Sequence, residues 1–155
     1  MKTIKFYKQP NNYACGPFAI LNVLKWCEEK VFLKDWKEIA RVCETIKDLG
    51  TDDFKFEKTL YKFAKKFLVI RRKVRFTTQE LTNHLENGGI IILRISKDHQ
   101  GIETHHYCLI IKTEPYKYVL VNYLKGEVYF SLSKKIIKKL EPYCVYYLKK
   151  RKRKI

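Results

Sequence analysis

The chain has 155 residues and a mass of 18.7 kDa, the size of one domain, because two separate cores would each be close to the limit of independent folding. Hydrophobic residues make up 46% of it, with six glycines and four prolines, which excludes a disordered, collagen-like or linker-like chain. Thirty-three Lys and Arg against sixteen Asp and Glu give a formal net charge of +17, a field that attracts nucleic acid, anionic membranes or acidic proteins.

The positive charge is concentrated in two segments. The run from Lys149 to Lys154 is entirely basic, and a second group without an acidic residue lies between Lys62 and Arg75. Such groups are typical of a solvated surface, and they are also what a site for nucleic acid or another polyanion requires, so both interpretations stay open. The sequence predicts one domain over residues 1–148 and a basic C-terminal tail over residues 149–155.

The five cysteines form no CxxC pair and no Cys/His spacing typical of zinc, so neither a metal nor a cofactor is expected. Their odd number, and an N-terminus without signal-peptide features, predict a reducing intracellular compartment: the cytoplasm, or the nucleus or a virion for a eukaryotic or viral source. No apolar run approaches the roughly 20 residues that a transmembrane helix needs, so no transmembrane segment is predicted.

Four helices are predicted in the first half of the chain. The first is apolar around most of its circumference, with only Asn22 and Lys25 as polar interruptions, which predicts a central, buried helix. The others carry one apolar side, and Gly50 is expected to cap the second. The predicted helices span residues 15–29, 34–48, 53–67 and 78–87.

Beyond Gly89 the sequence changes to short β-branched and aromatic runs, which predict strands. A turn over residues 123–127 is expected to join the third and fourth strands, and residues 133–140 suit one more helical segment. Helices followed by a mostly antiparallel sheet make an α+β fold. The predicted strands span residues 90–95, 106–112, 118–123, 127–132 and 143–148.

Cys15 is the candidate nucleophile. It lies at the start of the first predicted helix, where unpaired backbone N–H groups and the helix dipole lower a thiol pKa. Gln9 precedes it, and a side-chain amide there, with the Cys15 backbone N–H, suits the oxyanion that forms when a carbonyl is attacked. Taken alone, a cysteine at such a position is more often inert, so the hypothesis depends on partners elsewhere in the chain.

Two polar residues in the predicted sheet supply those partners. His106 shares a strand face with Cys108, whereas His105 takes the opposite face, so only one of the two histidines can face Cys15. His106 is the candidate general base, which takes the thiol proton and later protonates the leaving group. Asn122, in the next predicted strand, is the candidate acceptor that orients the imidazole.

This pattern resembles the papain-like cysteine peptidases. Gln-x5-Cys-Gly-Pro opens an apolar helix, a His-Tyr strand follows late in the chain, and an apolar strand then ends in Asn before a Gly-containing turn. Within that group the pattern is most similar to the bacteriocin-processing, double-glycine leader peptidase domains. The resemblance covers about residues 5–140, and Gly50-Thr51 also stands where those domains commonly have Gly-Thr.

The resemblance implies a papain-like α+β fold, with a central buried N-terminal helix packed on a mostly antiparallel sheet. It implies a peptidase acting on a peptide or protein substrate, with Cys15 as nucleophile, His106 as base, Asn122 as its orienting partner and Gln9 as oxyanion donor. Hydrolysis and acyl transfer to another amine both remain open. The alternative is a catalytically inactive papain-like module that binds nucleic acid or another polyanion through its basic surface.

Overall fold

A computed structural model describes residues 4–124 and 126–152 of the chain. These residues contain four α-helices, six β-strands and three short 3₁₀ segments. The helices are α1 (Cys15–Trp26), α2 (Trp36–Val42), α3 (Asp53–Ala64) and α4 (Thr78–Glu86). The strands are β1 (Leu68–Lys73), β2 (Ile90–Lys97), β3 (Glu103–Thr113), β4 (Lys117–Val121), β5 (Tyr129–Ser133) and β6 (Cys144–Lys150).

The strands form one antiparallel sheet in the order β1-β6-β2-β3-β4-β5. Both faces of this sheet are covered, because successive side chains point to opposite sides and both sets are apolar. Tyr107 and Leu109 of β3 pack in a cluster with α1, α2 and α3. Cys108 and Ile110 of the same strand pack in a second cluster, with α4 and the 3₁₀ segment Lys134–Leu140. The predicted α+β fold is confirmed.

Helix α1 is the central helix that the sequence predicts. Eleven of its residues are buried, and Lys25 alone is partly exposed. The helix contacts α2, α3 and β3, so it lies between the other helices and the sheet. It ends at Trp26, earlier than predicted, because Glu28 adopts a left-handed backbone with φ of 62°. A residue with positive φ cannot continue a right-handed helix.

The second predicted helix, over residues 34–48, is the main departure among the helices. Helix α2 ends at Val42, and Glu44 and Asp48 both have positive φ, which stops the helix and starts a turn. That turn is closed by Ile46 and Gly50, whose backbones bond to each other. Gly50 therefore closes this turn instead of capping the helix.

Strand β1 is absent from the sequence-based prediction. It pairs with β6 at one edge of the sheet, with Leu68 opposite Lys150 and Val69 opposite Lys149. Lys149 and Lys150, the first residues of the predicted tail, therefore belong to β6, and the last three residues of that tail lie outside the described residues. No helix in the described part of the chain is long and apolar enough to cross a membrane.

Candidate active site

Cys15 is the first residue of α1, and only 5% of its surface is exposed. The chain enters the helix through the 3₁₀ turn Asn12–Ala14, which is capped by Asn11: its side-chain oxygen accepts a hydrogen bond from the Ala14 N–H at 2.9 Å. This cap fixes the direction in which the helix starts. The thiol is thus held at the amino end of a buried helix, as the sequence predicts.

Gly16 allows another segment to approach the helix start. A Cβ atom at this position would lie 3.0 Å from Oγ1 of Thr51 and 3.4 Å from the Phe56 ring. Thr51 is itself held by a 2.6 Å hydrogen bond to Thr45. The residue after the cysteine must therefore be small, because the 45–51 turn packs directly against it.

His106 and Cys15 line the same cleft, and each shifts the pKa of the other. Burial acts to raise the pKa of the Cys15 thiol, but His106 and the backbone N–H groups of Tyr107 and Gly16 outweigh it, so the pKa lies below its ordinary value. Burial acts to lower the pKa of His106, but Cys15 and the Asn122 carbonyl outweigh it and raise that pKa. Both directions favour a thiolate beside an imidazolium.

His105 does not share this role. Its side chain is exposed, and its Nδ1 lies 3.0 Å from Nη1 of Arg94. His106 instead occupies the last regular pair of β3 with β2, opposite Ile95, before the register shifts between Ile95 and Lys97. The structure therefore brings only one of the two adjacent histidines to the sulfur.

Asn122 contacts His106 in a different way from the one predicted. Nε2 of His106 lies 2.5 Å from the backbone carbonyl oxygen of Asn122, not from its side chain. The reason is the backbone: Asn122 has φ of 57°, a left-handed conformation that turns its carbonyl toward the ring. The Asn122 side chain points elsewhere, donating from Nδ2 to the Tyr7 carbonyl at 2.8 Å and accepting at Oδ1 from the Gln9 N–H at 3.3 Å.

Gln9 lines the same cleft as Cys15 and His106. Its Nε2 donates to the Asn11 carbonyl at 3.1 Å, which uses one of the two amide hydrogens and leaves the second available to a bound ligand. Its Oε1 is buried and has no hydrogen-bond partner among the described residues. The side chain therefore lines the cleft that contains the thiol, and its amide can donate one more hydrogen bond.

The site lies in a cleft of about 730 Å³. Its lining includes Leu49, which is 81% exposed and lies in the turn before α3, and Tyr123 and Leu124, which follow β4. A cleft of this volume is typical of a ligand-binding site. No group of three or more His, Cys, Asp or Glu side chains in residues 4–124 and 126–152 is placed to hold a metal ion.

An ion pair supports the cleft from the sheet side. Arg94 of β2 donates from Nε and Nη2 to the two carboxylate oxygens of Asp53, at 3.1 and 3.2 Å, and the Tyr107 hydroxyl donates to the same carboxylate. Phe56 stacks on the Tyr107 ring with 3.9 Å between centroids. This network ties α3 to β2 and β3 next to His106.

The other cysteines are unsuited to nucleophilic attack. Burial raises the pKa of Cys27 to about 11 and also raises the pKa values of Cys43, Cys108 and Cys144. No disulfide joins any of the five, all of which fall within the described residues. Cys15 is therefore distinguished by its environment and not by accessibility.

Several residues of the site were not identified as functional from the sequence. Asp53, Arg94 and Tyr107 are far apart in the chain and carry no local pattern. Asn22 did give a signal, because it is a polar residue inside an otherwise apolar helix, and such a residue is buried only when its amide is hydrogen-bonded.

Comparison with known proteins shows the fold. No protein-family model matches the sequence, and no curated protein matches it. Solved structures do match. The peptidase domain of Streptococcus ComA, a bifunctional ABC transporter involved in quorum sensing, has a TM-score of 0.70 and 14% identity over 96% of this chain and 100% of that domain.

Two further structures agree. A double glycine motif protease from an AMS/PCAT transporter, solved with its leader peptide, has a TM-score of 0.67 and 12% identity over 96% of this chain and 93% of that one. A C39-like peptidase from Bacillus anthracis has a TM-score of 0.67 and 12% identity, over 96% of each chain. The chain therefore has the fold of C39-like, double-glycine peptidase domains, as the sequence resemblance implies.

Proposed function

We propose that this protein is a cysteine peptidase that cleaves a peptide or other amide bond through a thioester acyl-enzyme. The single observation that carries the proposal is the interaction of the buried Cys15 thiol with His106 inside a cleft. The peptidase fold supports it, and the neighbour with a bound leader peptide supports a peptide as the class of substrate.

The chemistry follows from the residues at the cleft. The Cys15 thiolate attacks the substrate carbonyl, and the C=O electron pair moves to the oxygen, where the Gln9 amide and the Cys15 backbone N–H would stabilise the negative charge. His106, as imidazolium, protonates the departing amine. The neutral ring then takes a proton from water, which attacks the thioester and releases the acid and the free thiol.

Asn122 has a structural part in this scheme. Its backbone carbonyl accepts from Nε2 of His106, which leaves Nδ1 as the nitrogen that exchanges a proton with the sulfur.

If another amine replaced water, the same thioester would give acyl transfer instead of hydrolysis. The unpaired cysteines are consistent with the proposed reducing intracellular location.

Competitive alkylation tests the proposal. Limiting iodoacetamide at pH 7 should modify Cys15 at least tenfold faster than Cys27, its most exposed competitor, as read by peptide mass spectrometry. The H106A variant should lose that preference. Equal labelling of the cysteines in the folded protein, with unfolded protein as reference, would reject a catalytic thiol.

Cleavage is tested separately with synthetic peptides. Wild-type protein and C15S are incubated with a peptide containing Gly-Gly at its centre and with a mixture of random-sequence peptides. Products formed by the wild type and not by C15S support the peptidase. Including an added amine separates hydrolysis from transfer, because the transfer product differs from the hydrolysis product by the mass of the amine less that of water.

A second candidate function rests on the basic edge, which we define as Lys62, Lys65, Lys66, Arg71, Arg72 and residues 149–152. The pairing of β1 with β6 joins the two basic segments of the sequence, and Arg151 donates to the Lys65 carbonyl at 2.9 Å. One acidic side chain forms an ion pair with this edge: Oε1 of Glu57 lies 3.7 Å from Nε of Arg72. We propose nucleic acid as the polyanion, since the charges follow both faces of an exposed strand.

Salt dependence tests the second candidate. Binding of a fluorescent single-stranded oligonucleotide should weaken steeply between 50 and 200 mM salt, by about tenfold or more if several phosphates are neutralised. Changing Lys65, Lys66, Arg71 and Lys149 to Gln should remove most of the binding, whereas changing the exposed Lys34, Lys37 and Lys47 to Gln should not. Equal losses from both sets, or binding indifferent to salt, would exclude a specific basic site.

A further inference from the structure

The segment Tyr7–Gln9, which carries the proposed oxyanion donor, is held by side chains rather than by a strand ladder. The Tyr7 N–H donates to Oδ1 of Asn22 at 2.7 Å, and Nδ2 of Asn22 donates back to the Tyr7 carbonyl at 2.9 Å. Nδ2 of Asn122 donates to that same carbonyl. The side-chain amides of Asn22 in α1 and of Asn122, directly after β4, therefore both bind the backbone of Tyr7.

Within residues 4–124 and 126–152, the side chain of Asn22 makes hydrogen bonds to Tyr7 and to no other residue. It is fully buried among the apolar residues of α1, and its amide oxygen and nitrogen both bond to Tyr7. If the segment shifted along the helix, this buried amide would lose its hydrogen-bond partners, so such a shift is strongly disfavoured. Asn22 lies about two turns beyond Cys15 on the same rigid helix.

Asn122 completes the connection. Its Oδ1 accepts from the Gln9 N–H, and its backbone carbonyl faces His106. The segment with Gln9 is thus fixed both to the helix that carries the thiol and to the residue that contacts the imidazole. A change in any one of these contacts would displace the Gln9 amide relative to the sulfur.

We propose that Asn22 is a positioning residue, which together with Asn122 holds Tyr7 so that the Gln9 side-chain amide stays at the oxyanion position beside Cys15. This inference rests on the proposed peptidase function. According to this inference, Asn22 contributes to the attack on a carbonyl although it lies in a buried helix remote from the substrate. It contributes nothing to the formation of the thiolate.

Two reagents separate those contributions. Iodoacetamide alkylates a thiolate by displacing iodide at a saturated carbon, so no oxyanion forms. With p-nitrophenyl acetate the thiolate attacks a carbonyl, the oxygen becomes negative, p-nitrophenolate leaves and an acetyl thioester remains, which water hydrolyses to acetate. The ratio of acylation rate to alkylation rate of Cys15 therefore reports oxyanion stabilisation alone.

We expect N22A to lower the acylation rate by about tenfold or more, and to leave the alkylation rate within about twofold of wild type. Q9A should show the same pattern, and N22A combined with Q9A should be no slower than Q9A, because both act through one amide. T59V is the matched control. Thr59 is a buried polar residue of α3, bonded to the Lys55 carbonyl, and its loss should leave the ratio unchanged.

The outcomes are distinguishable. Equal falls in both rates for N22A, or multiplicative effects of N22A and Q9A, would mean a merely structural role and would overturn the inference. Should N22A not fold, the nearly isosteric N22L gives the same test, because it leaves no cavity and loses both hydrogen bonds to Tyr7. Wild-type protein whose Cys15 is neither preferentially alkylated nor acylated would overturn the proposed function itself, and the inference with it.

Discussion

His106 and Asn122 meet through the main chain, because Nε2 of the ring lies 2.5 Å from the Asn122 carbonyl oxygen while the Asn122 amide binds Tyr7 and Gln9. The usual arrangement of a Cys-His-Asn site has the amide side chain facing the imidazole. In this protein the backbone carbonyl of Asn122 contacts the imidazole, and the side-chain amide binds Tyr7 and Gln9 instead. The orientation of His106 consequently depends on a backbone conformation and not on the identity of a side-chain oxygen.

That dependence predicts a difference between two substitutions at position 122. Alanine at φ of 57° is strained by about 1 kcal/mol or more relative to glycine, whereas both lose the same side-chain bonds. We expect N122A to unfold at lower urea concentration than N122G, with a difference in unfolding free energy of about 1 kcal/mol. Equal stability of the two variants would argue against the left-handed conformation.

The pH profile of Cys15 alkylation is the second prediction. Because the thiol pKa lies below its ordinary value, the thiolate should persist as pH falls, and the alkylation rate should drop only below the lowered pKa. In H106A the lowering contributions of His106 are lost and burial remains, so the profile should move to higher pH than in the wild type. Stopped-flow alkylation across pH 4–10 measures both curves. Superimposable profiles would exclude coupling between the two groups.

The pair Arg94–Asp53 gives a prediction about stability. D53N removes the charge that compensates a largely buried guanidinium, so the free energy of unfolding should fall by about 2 kcal/mol, less than for a fully buried pair because Asp53 is partly exposed. E38Q breaks the exposed ion pair with Arg41 and should leave the free energy of unfolding nearly unchanged, because solvent screens that pair. Urea denaturation measures the unfolding free energies of D53N and E38Q. Equal losses in the two variants would mean that burial of Arg94 does not make its ion pair with Asp53 more stabilising than the exposed pair.

Gly16 provides a prediction whose sign is informative. In an open helix position, Gly→Ala stabilises by roughly 1 kcal/mol. Here the added Cβ would meet Thr51, so we expect G16A to destabilise the protein by about 1–2 kcal/mol. In a T51A background, which removes the nearest atom, the cost of G16A should be smaller. A stabilising G16A would contradict the close approach of the 45–51 turn.

Sequence reasoning succeeded where local pattern and burial coincide. The apolar circumference of α1, the β-branched run of β2 and the aromatic run of β6 follow directly from their positions in the core. Strand β1 was not predicted, because its second half, from Arg71 to Lys73, is entirely basic and lies at a sheet edge where one side is open to water. Its identity as a strand depends on pairing with the distant β6, which no local window contains.

The features of the candidate site also fall into those that a local sequence pattern predicts and those that depend on long-range packing. The position of Cys15 at a helix start is a local property, and the sequence predicts it. The sequence does not predict the contact mode of Asn122, because whether its carbonyl or its amide meets the ring depends on one backbone angle. Nor does it predict the Arg94–Asp53–Tyr107 network, whose members come together only when α3 packs on the sheet.

The hydrogen bond between the Gln9 N–H and Oδ1 of Asn122 joins residues separated by 113 positions. A nascent chain emerging from the ribosome therefore presents its cysteine long before the groups that activate it have been synthesised. Truncated products that end before β3 lack His106, and we expect their Cys15 thiol to lose this lowering of its pKa. We therefore expect the lowered pKa of the Cys15 thiol to arise only after β3 and β4 have been synthesised and have packed against α1.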